Sequence, residues 1–113
     1  SETIDIWTKP IVYELRVLGI KRRFDLGDYF VQIFLLSNKI RVYCVRPGTI
    51  NGIYGHLYGG GKDGGFCFGT RKDEIYDFIA QHNYLAAIAL IMEALHHINN
   101  DSQNALITIY KEV

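Results

Sequence analysis

His56 and Cys67, eleven residues apart, are the side chains of this sequence best suited to chemistry. They lie in Ile53 to Thr70, IYGHLYGGGKDGGFCFGT, which holds seven of the eleven glycines. A thiolate is a strong nucleophile toward acyl carbon, but it needs room for a second backbone to approach. Gly64, Gly65 and Gly69 bracket Cys67 and would leave that room. Phe66 and Phe68 flank it directly, so two readings stay open on the residues alone. Cys67 is either a nucleophile on an exposed bend or a small buried hydrophobe in a short strand. His56 also has two readings, an acid/base group or a staple for the loop. Ordering this many glycines is entropically expensive, which argues that the stretch has a use.

Other chemistries fit less well. Gly59, Gly61 and Gly64 spell GxGxxG, but a dinucleotide site needs a helix to open directly on those glycines. Here Gly65-Phe66-Cys67-Phe68-Gly69 follows, which is no helix start. A Walker loop fails because Asp63 follows Lys62 and His56 stands where the first glycine belongs. Cys44 falls mid-strand beside Ile40 and Val42 and reads as core. His82 reads as a surface residue. His96 and His97 are adjacent on a helix, point to different faces and are poorly placed to share a metal. No metal-ligand spacing or Ser-His-Asp order is legible, and no cofactor is called for.

The elements that must hold this loop follow from composition and pattern. The chain has 113 residues, 49% of them apolar, enough for a single domain over 1–113 with its own core. Lys plus Arg equals Asp plus Glu at 12 each, so charge makes no case for nucleic acid or an anionic membrane. No apolar run approaches the roughly 20 residues of a membrane span, and no signal peptide is visible. Ser1 in place of Met reads as a processed or trimmed start. Two cysteines without CxxC pairing point to free thiols in a reducing, cytoplasmic compartment.

The pattern predicts a weak N-terminal stretch, either a tail or a short strand ending before Pro10. A strand follows over Ile11 to Ile20, on the alternation of Tyr13, Leu15 and Val17. Lys21 to Asp28 reads as a polar turn, Tyr29 to Leu36 as a central strand, and Lys39 to Arg46 as a third strand ending at Pro47-Gly48. Asp73 to Ala80 reads as a short helix. Asn83 caps a long helix over Tyr84 to Ile98, with Leu85, Ile88, Ala89, Met92 and Leu95 as its apolar stripe. Ala105 to Tyr110 is a final edge strand or a packed tail. The class is α+β: an antiparallel β-meander packed against a long C-terminal helix, with the glycine-rich loop between sheet and helix.

Taken together, residues 11 to 100 resemble the ubiquitin-conjugating enzyme family in its compact bacterial forms. LRVLGI, GDYFVQIFLL and KIRVYCVRP look like its first three strands. GHLY at Gly55 to Tyr58 looks like its His-Pro-Asn motif, and DGGFCFG at Asp63 to Gly69 like its cysteine motif. LAAIALIMEALHHINND looks like the helix behind the active site. The resemblance implies that Cys67 accepts the C-terminus of a ubiquitin-like protein as a thioester and passes it to an amine, with His56 as the other site residue. It implies an activating enzyme as partner and a JAB-type metallopeptidase in the same pathway. Within it, Gly59 to Gly65 becomes a flexible bridge about one residue longer than the family's. Asp73 or Asp77 becomes the acidic helper of the incoming amine. The departures are Leu57 and Tyr58 in place of Pro and Asn, no evident N-terminal helix, and reduced or absent C-terminal helices. They leave open a second implication, a catalytically inactive adaptor of the same or RWD-like fold that binds a ubiquitin-like protein or a partner subunit.

Overall fold

The computed structural model of the chain describes residues 2–113, so the reading of Ser1 falls outside it. Its sheet comprises β1 (Thr3–Trp7), β2 (Ile11–Val17), the 15-residue β3 (Ile20–Phe34), β4 (Lys39–Arg46) and the short β5 (Lys111–Glu112). β3 is the axis. β1 and β2 lie end to end along one of its edges, while β4 and β5 lie along the other, and every pairing is antiparallel. The N-terminal stretch is therefore a strand, ending before Pro10.

The sheet departs from expectation at Lys21 to Asp28. These residues are not a turn but the first half of β3. The turn lies earlier, at Leu18 and Gly19, where φ is +50° and +77°. Two successive left-handed residues match the right-handed twist of flanking strands, and glycine adopts that conformation without strain. Charge on Lys21, Arg22 and Arg23 marks an exposed strand rather than a loop. The register skips Leu26 against β2 and Val45 of β4 opposite Asp28 and Tyr29, and across this bulge the inward-facing parity switches. Phe24 and Leu26 are buried on its near side, and Tyr29, Val31 and Ile33 beyond it.

The bulge is clamped by charge. Arg46 donates from Nη1 to Asp25 Oδ2 at 2.7 Å and from Nη2 to Asp28 Oδ1 at 2.8 Å. Asp25 Oδ1 also accepts the Gly27 amide at 2.9 Å.

Three short helices complete the α+β fold: α1 (Lys72–Ala80), α2 (Tyr84–Leu95) and α3 (Gln103–Ile109). Ile75 and Ile79 of α1, Ala87, Ile91 and Leu95 of α2, and Leu106 of α3 join Val31, Ile33 and Val42 in one buried cluster. Each of the Val, Ile and Leu side chains contributes on the order of 1.5–3 kcal/mol when fully buried. Asn83 does cap α2, its Oδ1 accepting the Ala86 amide.

Three helical expectations are corrected. α2 stops at Leu95, not Ile98, because the His96 and His97 amides tighten onto Met92, Glu93 and Ala94 while the Leu95 carbonyl turns to another partner. Its buried stripe is Ala87, Ile91 and Leu95; Leu85 is 84% exposed and Ala89 is exposed. Nearly every residue from Tyr84 to Met92 is apolar, so periodicity could not choose between overlapping faces. Ala105 to Tyr110 is mostly α3 rather than an edge strand, with Tyr110 packed into the core and bridged to Thr49, and pairing with β3 confined to Lys111 and Glu112. Among the described residues, no helix is long and apolar enough to cross a membrane.

Candidate active site

The glycine-rich stretch is docked against the sheet. The Val42 amide donates to the Gly64 carbonyl at 2.8 Å, and the Cys44 amide to the Gly60 carbonyl at 2.9 Å. The loop thus runs along the outer edge of β4 and satisfies backbone groups that an edge strand leaves open. Tyr110 Oη ties down its start by donating to the Gly55 carbonyl at 2.6 Å. Close packing explains one of the glycines. Gly59 has φ +146°, and a Cβ there would sit 2.3 Å from the Gly65 carbonyl oxygen.

That crossing aims the cysteine. An antiparallel bridge pairs Gly59 with Phe66, and the Cys67 amide donates to the Tyr58 carbonyl at 2.8 Å. Tyr58 therefore falls opposite Cys67, and residues opposite one another share a face. Phe68 is buried, whereas Cys67 is exposed. Of the two readings left open for Cys67, the exposed bend is the one observed. Cys44 is half-buried against the core, and burial pushes its thiol up.

His56 is 5% exposed and packs among the rings of Tyr29, Tyr58 and Phe66. Its Nε2 meets the Leu95 carbonyl at 2.9 Å, and its Nδ1 accepts the Tyr58 amide at 3.2 Å. A carbonyl can only accept, so Nε2 carries the proton and the ring is neutral. Burial pushes its pKa down to about 4, against the Leu95 hydrogen bond. With both nitrogens engaged by backbone, His56 staples the loop to the end of α2.

Between the loop and the α2 exit lies a cavity of about 550 Å³. Tyr58, Cys67 and Phe68 form one wall, and Glu93, His97 and Asn99 the other, with Arg71 at its edge. The Asn99 amide donates to Tyr58 Oη at 2.8 Å, and His97 Nε2 lies 2.8 Å from Asn99 Oδ1. Arg71 pairs with Glu93 at 3.5 Å. The carboxylate lining this space is Glu93; Asp73 and Asp77, singled out in the sequence, do not line it.

His97 and Asn99 were not legible as site residues. The sequence pattern carries the helix over His96 and His97, whereas α2 ends at Leu95. Among the described residues, no three His, Cys, Asp or Glu side chains are grouped to hold a metal ion. No protein-family model, no curated protein and no solved structure matches the chain.

Proposed function

We propose that the chain is a ubiquitin-conjugating-like transferase that carries the C-terminus of a ubiquitin-like protein as a thioester on Cys67. The observation that carries this reading is the exposed Cys67 on a tightly held bend, opening onto a cavity with polar groups on its far wall. The Cys67 thiolate attacks the thioester carbonyl presented by an activating enzyme. A new C–S bond forms, the old one breaks, and the donor thiolate leaves. An amine then displaces Cys67 in turn. His56 serves the site by holding the loop. The sequence order of strand meander, cysteine loop and following helix resembles that of the compact bacterial ubiquitin-conjugating enzymes. In this reading the protein works in the cytoplasm, with free thiols, beside a JAB-type metallopeptidase.

The test uses a panel of ubiquitin-like proteins, each with its activating enzyme and ATP, resolved on non-reducing gels. The reading requires a reducible adduct that Cys67→Ala abolishes and Cys44→Ala preserves. An adduct that survives Cys67→Ala removes its basis.

A binding role has its own support in the outer face of the sheet. Trp7 is 67% exposed and stacks on Phe30 at 4.3 Å, with Tyr43 beyond it. An adaptor would bind its ubiquitin-like partner equally well after Cys67→Ser and lose that binding after Trp7→Ala.

A further inference from the structure

The far wall of the Cys67 cavity carries a histidine oriented by an amide. His97 Nε2 and Asn99 Oδ1 lie 2.8 Å apart. Since a carbonyl oxygen accepts, the His97 proton sits on Nε2, which leaves the lone pair on Nδ1. Nδ1 has no hydrogen-bond partner among the described residues. The Asn99 backbone is itself fixed, its N–H donating to Tyr58 Oη, and Tyr58 stands opposite Cys67. One chain of contacts therefore runs from the cysteine bend through Tyr58 and Asn99 to His97. All four residues line the same cavity.

From this arrangement we infer that His97 is the general base for the amine that discharges Cys67, with Asn99 as its positioning residue. The inference rests on the thioester-carrier reading. The neutral amine nitrogen adds to the thioester carbon, and an N–C bond forms. The C–S bond breaks with its electron pair leaving on Cys67 Sγ. The proton lost by nitrogen goes to His97 Nδ1. An imidazole whose second nitrogen is held by a fixed acceptor is suited to that transfer. The other titratable or charged groups on this cavity are Tyr58 and Cys67 on the loop, Arg71 before α1, and Glu93 on α2. Arg71 and Glu93 are paired with each other, and His96 adjoins His97 in the chain.

The test needs no identified partner. In a Cys44→Ala background, the protein is acylated with N-acetylglycine benzyl thioester, and intact mass identifies the Cys67 adduct. Free lysine is then added, and discharge is followed against pH. His97→Gln should charge normally but discharge about 100-fold more slowly or worse, its pH profile following only the deprotonation of free lysine. Asn99→Ala should slow discharge. Asn99→Asp, which keeps an oxygen acceptor, should restore it with the profile displaced to higher pH, because a carboxylate favours the charged imidazole. If His97→Gln charges and discharges as the parent does, the inference is overturned and the carrier reading stands. If the parent does not charge at Cys67, both fall.

Discussion

His56 Nε2 donates to the Leu95 carbonyl at 2.9 Å, joining residues 39 positions apart. This bond ties the loop that carries Cys67 to the end of α2. It satisfies the Leu95 carbonyl, which has no helical amide partner beyond the end of α2.

Protonating His56 should therefore loosen the fold. Its folded pKa, about 4, is below the unfolded value near 6.5. The unfolded chain binds the extra proton first, so this stabilisation is complete above pH 6.5. It declines as pH falls toward 4, and the total loss is on the order of 3 kcal/mol. Urea unfolding at a series of pH values should show that slope in the parent, and His56→Gln should lack it.

Gly59→Ala tests whether loop geometry aims Cys67. The added methyl would collide with the Gly65 carbonyl at a positive φ, so the crossing of residues 58–59 and 65–67 must open. The melting temperature should fall modestly, since the β4 docking bonds at Gly60 and Gly64 lie to one side. Discharge of a Cys67 thioester should fall by about tenfold or more, as small misplacements in a site do. Unchanged discharge would mean that the crossing does not position the thiol.

The two thiols should differ in reactivity. Cys67 is exposed, whereas Cys44 is half-buried with its thiol pushed up by burial. Iodoacetamide at mildly alkaline pH should modify Cys67 at least about tenfold faster than Cys44, read by peptide mass mapping.

Arg46 should matter for acid stability. Its guanidinium holds the Asp25 carboxyl below the usual carboxylate range, opposed by burial and aided by the Gly27 amide. A depressed folded value stabilises above the ordinary carboxylate range and is lost as pH falls through it. Arg46→Ala should cost about 1–2 kcal/mol at neutral pH, a figure discounted for the half-exposed guanidinium, and should lessen the acid sensitivity.

The meander, the short α1 and the Asn83 cap were legible because each rests on local pattern: alternation, helix formers, a capping side chain. Three features were not. The bulge between Asp25 and Tyr29 lets one strand continue through Gly27, and bulges leave no fixed spacing in one sequence. The nearly uniform apolar stretch of α2 hid which face turns inward. The far wall of the cavity depends on the contact between His56 and Leu95, which no local window contains. Cys67 was visible from its flanking glycines, but His97 and Asn99 became site residues only when the helix ended early.

Peptide mapping of the charged protein tests the central claim most directly. After incubation with a ubiquitin-like protein, its activating enzyme and ATP, the adduct is digested under non-reducing conditions and the modified residue located by mass. The account predicts a thiol-labile acyl group on Cys67 and none on Cys44. An acyl group on Cys44 or on a lysine, with Cys67 free, would contradict it.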